Sequence, residues 1–276
     1  MTKKAHNKDP LTEQDRYHRL SIQVGLNGLS FCILDTIANT LSLSYSRLFD
    51  QEVSPFELHR EVRESFRRQG VLEYRFAKVT AIHRSTLFSL VPQALFDRDH
   101  LASYLKYNAK ILATDQMAYD PIEGLDAVNV YVPFTNVNNY LYDLYGEFEF
   151  KHSGTVLLEF LLKLPSIRQG HIGYLHLAES QMDLAIFSGK KLLFYNSFPI
   201  SSPEDVLYYL LFSLEQLHME TGTLRLRLLG DVTEEDPVYA LCAEYFEHLS
   251  RFVPEDTALP VAASEQDIDF TLISAL

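Results

Sequence analysis

Leu20, Ile22 and Val24 alternate with Ser21 and Gln23, the period-two pattern of a strand. Gly25-Leu26-Asn27-Gly28 interrupts the alternation, and Asn-Gly is a strong hairpin signal. Residues 29–35 predict a second strand, and the polar run 36–40 turns the chain again. Leu41, Leu43 and Tyr45, interleaved with Ser42, Ser44 and Ser46, predict a third strand with one polar face. A helix follows. Ser54 suits the N-cap, Pro55 the first helical position, and Glu57 completes a capping box. Phe56, Val62 and Phe66 give it apolar spacing, and Gly70 supplies a left-handed stop.

The same order returns roughly 150 residues later. Residues 172–178, 181–187 and 190–198 predict three strands, with a turn at Ser188-Gly189. Ser202-Pro203-Glu204-Asp205 repeats the cap, the first-turn proline and the acid at the third position. Val206, Leu207, Leu210, Leu211, Leu214 and Leu217 then mark a helix that Gly222 is expected to close. Leu and Arg alternate over 224–229 as a strand, and Asp236-Pro237 opens a helix carrying Leu241, Cys242, Tyr245 and Phe246. Strand–helix–strand–helix order favours parallel pairing. The middle is less regular: strands at 79–82, 86–91, 128–132 and 148–152, and helices at 97–107, 135–145 and 155–164. The fold class is therefore α/β, a duplicated two-lobe architecture of mixed sheets flanked by helices. Residues 1–16 read as a flexible polar leader, 17–165 as the first lobe with an inserted subdomain, 166–253 as the second lobe, and 254–276 as an acidic, Ala-rich tail in which Phe270 and Leu272 could dock.

Composition narrows the function. Of 276 residues, 47% are hydrophobic and 12% aromatic, enough for a substantial core. The net charge of −13 is a poor platform for nucleic-acid backbones or anionic membranes. The one basic cluster, Arg60, Arg63, Arg67 and Arg68, shares helical spacing with Glu57, Glu61 and Glu64 and reads as a solvated ion-paired face. Cys32 and Cys242 each lie in an apolar run and read as buried thiols. No signal peptide or membrane span is visible, so a cytoplasmic protein without membrane insertion is expected.

Candidate chemistry is sparse. Ser153-Gly154-Thr155 lies between a predicted strand and helix, where an anion could bind, but without a P-loop Lys an N-cap is the simpler reading. His171 and His176 fall on opposite faces of one strand and cannot share a metal there. His83, His100 and His152 have no ligand-like neighbour in sequence, and the Asp231, Glu234, Glu235, Asp236 cluster reads as decoration of a helix N-terminus. No metal site is expected.

The repeated meander, helix, strand and helix resemble the actin-like ATPase superfamily of actin, Hsp70, sugar kinases and actin-like pilus-assembly proteins, with its ribonuclease H-like lobes. The stretch Leu87-Phe88-Ser89-Leu90-Val91-Pro92 ahead of Leu95-Phe96 is similar to an uncharacterised bacterial family grouped with that superfamily. The resemblance spans residues 17–253. It implies a nucleotide cleft between the lobes, lined here by Gly25, Asn27, Gly28, Gly230 and Asp231, with ATP and magnesium as cofactors. Three departures weigh against that chemistry. Gln23 stands where the first hairpin of the superfamily carries a metal-organising acid. The second hairpin, His176-Leu177-Ala178-Glu179-Ser180-Gln181, has no glycine. The adenosine segment keeps one glycine, Gly230, in place of a pair.

The leading expectation is a non-catalytic binding or scaffold protein with a protein partner, a second copy of itself included, and no cofactor. The alternative is a divergent ATP-binding phosphotransferase or ATPase using the interlobe cleft. A ligand sensor without hydrolysis is a third.

Overall fold

In the computed structural model the described residues are 17–107, 111–112, 114–164, 170–178, 180–230, 232–252 and 270–276. The first lobe opens with β1 (His18–Gly25), β2 (Gly28–Asp35) and β3 (Thr40–Leu48), an antiparallel meander in which Val24 faces Leu29 and Ser30 faces Ser46. Helix α1 (Pro55–Arg68) follows. Strand β4 (Lys78–Arg84) returns parallel to β1. A small sheet intervenes, built from β5 (Phe88–Pro92), β6 (Ala118–Pro121) and β7 (Ala127–Tyr131), with the short helix α2 (Leu101–Leu105) against it. Helix α3 (Thr135–Tyr145), β8 (Glu149–His152) and α4 (Ser153–Lys163) complete this half. Strand β8 lies parallel to β4, so the first sheet has the order β3-β2-β1-β4-β8.

The second lobe repeats that plan. Strands β9 (His171–Ala178), β10 (Gln181–Ser188) and β11 (Lys191–Pro199) form the meander, then come α5 (Pro203–Gln216), β12 (Leu224–Gly230), α6 (Pro237–Ala243) and β13 (His248–Arg251). The sheet order is β11-β10-β9-β12-β13, with β9–β12 and β12–β13 parallel.

The capping boxes form as read. Ser54 accepts from the Glu57 N–H and Ser202 from the Asp205 N–H, while each acid reaches back to its cap. Such caps contribute about 1 kcal/mol each. Gly70 takes the left-handed φ of 69° just past α1. The stop of α5 differs from expectation. The left-handed residue is His218 at φ 53°, while Gly222 sits in a separate one-turn 3-10 helix. The chain reverses as soon as the helix ends, before it reaches the glycine. Helix α6 is also shorter than the apolar spacing implied; it ends at Ala243, and Phe246 is buried from the turn beyond.

Each sheet is covered on both faces. One face of the first carries α1 and α3 over Leu20, Ile22, Phe31 and Ile33. One face of the second carries α5 and α6 over Leu175, Leu184 and Leu226. The remaining faces are covered crosswise. Helix α4, from the first half, packs Leu157, Leu158 and Leu161 on Ile172, Tyr174 and Phe187 of the second sheet. Helix α7 (Phe270–Ser274), from the end of the chain, packs Leu272 on Cys32 and Ile82 of the first. Leu272 does dock, at 1% exposure, and Thr271 meets Gln23.

Candidate functional site

The two sheets meet where β4, the β1–β2 turn and the second meander converge. Between them lies a cleft of about 580 Å³. Its first wall is the β1–β2 turn, Gly25, Leu26 and Asn27. Its second is the segment leaving β4, from Arg84 to Leu87, and the entry to α3, from Val132 to Asn136. Ser180 and Gln181 of the second hairpin close the side toward the other lobe. Hydroxyls and amides dominate its polar surface: Asn27, Ser85, Thr86, Thr135, Asn136, Ser180 and Gln181. Among the described residues its charged members are Glu52, Asp115 and Arg84.

Arg84 is committed elsewhere. Its Nη2 donates to Oδ2 of Asp183 at 3.0 Å, with both side chains almost fully buried. His176 Nδ1 lies 3.4 Å from the same oxygen, and the Tyr195 hydroxyl donates to Oδ1 at 3.2 Å. Burial alone would raise the Asp183 carboxyl; the Arg84 charge and these donors outweigh it and hold it at about 2. The carboxylate and the guanidinium thus join β10 of one lobe to β4 of the other in a desolvated network.

A second network fixes the small sheet to α4. Asp120 of β6 accepts the His152 backbone N–H at 2.8 Å, the Thr155 hydroxyl at 2.9 Å and the Tyr131 hydroxyl at 3.1 Å. Burial raises its carboxyl to about 6 despite those donors. The Ser153-Gly154-Thr155 helix start therefore already faces a carboxylate of this chain. His152 is the N-cap, its Nδ1 accepting from the Gly154 N–H at 3.0 Å, while Nε2–H donates to the Ser85 carbonyl at 2.8 Å. His83 has the same tautomer: Nδ1 accepts from Phe134 N–H at 3.1 Å and Nε2–H donates to Asn138 at 2.9 Å. Burial lowers His83 to about 3 and His152 to about 4, so both rings are neutral at pH 7. Among the described residues no group of three or more His, Cys, Asp or Glu side chains converges to hold a metal ion. Nor is any helix among them long and apolar enough to cross a membrane.

The residues expected at a nucleotide cleft separate. Gly25 and Asn27 line it. Gly28 opens β2 opposite Leu48, buried and outside the lining. Gly230 ends β12 beside Leu177 of β9, with φ at 99°; a Cβ there would run into the Leu177 carbonyl oxygen. Asp231 lies outside the described residues. Gln23 is buried and engaged with Thr271 of α7. Arg84, Asp120, Asp183 and Tyr195 were not singled out from sequence. A signal was present for Asp183, an acid flanked by Met182 and Leu184 inside an apolar strand, where a buried charge requires a partner.

Comparison with solved structures identifies the architecture. A Bacteroides thetaiotaomicron VPI-5482 protein with an actin-like ATPase fold and unknown function superimposes with a TM-score of 0.77 at 20% identity, covering 90% of this chain and 96% of that one. A chain of the PilM–PilN type IV pilus biogenesis complex gives 0.56 at 12% identity, covering 93% and 94%. Both show the fold: an actin-like pair of lobes. No curated protein matches in sequence. Residues 7–249 match the family described as "Protein of unknown function (DUF3822)", and the chain belongs to that family.

Proposed function

We propose that this protein is a non-catalytic binding protein on an actin-like fold, in which ATP hydrolysis has been lost. The observation that carries this reading is the commitment of Arg84, the basic group among the described residues of the cleft: it is paired with Asp183 at 3.0 Å inside the protein. A triphosphate needs cationic and backbone donors turned toward it. Among the described residues the cleft lining contains no lysine, and its other charged members are the acids Glu52 and Asp115. The position expected to organise magnesium is Gln23, a neutral amide turned to Thr271. These residues do not fit ATP with magnesium. A protein partner follows as the natural object of binding, since the PilM–PilN neighbour was solved as a complex, although that assembly is a property of that protein alone.

The alternative, a divergent ATP-binding phosphotransferase or ATPase, draws support from the cleft's volume of about 580 Å³ and from Gly25 and Asn27 in its lining. Thermal unfolding with increasing ATP and magnesium separates the two, because a ligand that binds only the native state must raise the melting temperature. No shift up to millimolar ATP is expected. A dose-dependent rise would reinstate the nucleotide site.

A further inference from the structure

Helices α1 and α5 are counterparts in the two lobes, with the caps Ser54 and Ser202 at equivalent places. Counted from those caps, one solvent stripe of α1 carries Phe56, Arg60, Arg63 and Arg67. The matching stripe of α5 carries Glu204, Tyr208, Phe212 and Glu215. All eight side chains are exposed. Equivalent faces of the duplicated helix thus hold opposite chemistry.

The arginines are not neutralised on their own element. Glu57 is taken by the Ser54 N–H and hydroxyl, Glu61 by Arg47 at 2.6 Å and Glu64 by Arg68 at 3.4 Å. Arg60 lies 3.8 Å from the already paired Glu61, and Arg63 and Arg67 have no ion-pair partner among the described residues. The ion-paired face expected from spacing forms only in part. On α5, Glu204 and Glu215 also have no ion-pair partner among those residues. Between them Tyr208 is 62% and Phe212 46% exposed, their rings nearly parallel with centroids 6.1 Å apart, so both offer ring surface to solvent.

The two stripes do not meet within one molecule. Helix α7 covers the first sheet, α4 covers the second, and Leu272 of one packs with Val156 of the other. The layers therefore run α1 and α3, first sheet, α7 with α4, second sheet, α5 and α6. Helices α1 and α5 are the outer layers.

We propose that the α1 stripe of one copy docks on the α5 stripe of a second copy. A guanidinium stacks on an aromatic ring while its fork of donors pairs with a carboxylate, and the two stripes supply the two halves of that contact. In a chain of net charge −13, the α1 stripe is a surface where a second acidic copy meets cations instead of repulsion. Because the two stripes differ, the contact is head to tail, and a docked pair keeps one free stripe of each kind. The inference goes beyond the cleft: it concerns the outer helices and holds whichever ligand the lobes enclose.

The test is sedimentation of the full-length protein in about 50 mM salt at up to about 500 µM, because one helix stripe on each side makes a small, charge-dependent contact. The wild-type mass should rise with concentration and fall back in about 500 mM salt. Arg63→Glu/Arg67→Glu should weaken association by at least about tenfold through repulsion from Glu204 and Glu215. Tyr208→Ala/Phe212→Ala should weaken it by about tenfold, the scale of two exposed cation–π contacts. All four positions are exposed, so both variants should fold. Mixed in equal amounts, they should form one-to-one dimers with wild-type affinity and nothing longer, since each keeps the stripe that the other lacks. A wild type that stays monomeric, variants that associate as before, or a mixture no more associated than its components would overturn the proposal.

Discussion

Arg84, the last residue of β4, donates to Asp183 of β10 across the junction of the two sheets, and both side chains are almost fully buried. Bringing two charges out of water is costly, and their attraction repays it only when both are present. Arg84→Met should therefore cost about 3–5 kcal/mol, because it strands a buried carboxylate. The double variant Arg84→Met/Asp183→Leu should recover most of that loss. Urea unfolding of the single and double variants checks it; a double variant no more stable than the single one would show that the pair is not the coupled unit.

Buried histidines give the protein a pH profile. His83 and His152 have folded values of about 3 and about 4 against 6.5 for the free side chain. Depressed values mean stability fully present above pH 6.5 and lost as pH falls through 4 and then 3. Asp183, held at about 2, adds a loss below about pH 4. Asp120, raised to about 6, works the other way: its contribution is present at acid pH and lost as pH rises from about 4 to 6. Urea midpoints should fall steadily from pH 7 to 4.5. Asp120→Asn should steepen that fall and His83→Gln should flatten it; unchanged slopes would contradict these assignments.

Glycine substitutions rank the backbone's demands. Gly230→Ala combines a φ of 99° with a Cβ driven into the fixed Leu177 carbonyl, and should cost about 2–4 kcal/mol. Gly154→Ala would place its Cβ 2.9 Å from ring carbons of Tyr195 and should cost about 1–3 kcal/mol. Gly222→Ala meets open space at ordinary φ and should be near neutral. Thermal melts of the three give the order. A mild Gly230→Ala would remove the structural explanation for that glycine and return it to the list of ligand residues.

Much of the fold was legible because the meanders and capping boxes are local. Alternation over Leu20, Ile22 and Val24 and the pairs Ser54–Glu57 and Ser202–Asp205 lie within a few residues of one another. The short strands β6 and β13 carry no such signal, since Ala-Tyr-Asp-Pro and His-Leu-Ser-Arg have too few apolar residues to set a period. The site was far less legible. Gln23 and Thr271 lie 248 residues apart, and Arg84 and Asp183 lie 99 apart. No spacing rule connects such positions. Gln23 was visible as a missing acid, but not what it does instead.

Removing residues 270–276 should uncover the face of the first sheet that holds Cys32. Burial raises that thiol to about 12 and Cys242 to about 11, so neither should react readily with a disulfide reagent in the intact protein. After truncation Cys32 should react at least about tenfold faster while Cys242 stays protected, since Leu272 covers the first thiol and α5 and α6 the second. Equal rates would mean that α7 does not seal that face. Loss of stability of about 2–4 kcal/mol, the scale for removing a buried leucine, should accompany the change.

The crosswise helices also set the order in which this chain can mature on the ribosome. Residues 17–164 can form their strands early, yet part of one face of the first sheet waits for Leu272, which follows Cys32 by 240 residues. Until then Cys32 and Ile82 have Val156 of α4 beside them but not Leu272, and α4 holds Leu157 and Leu161 ready for strands that do not yet exist. The halves are thus coupled through the helices that cover them, and a chain lacking α7 presents an open apolar patch on the first sheet, a ready substrate for proteases and chaperones.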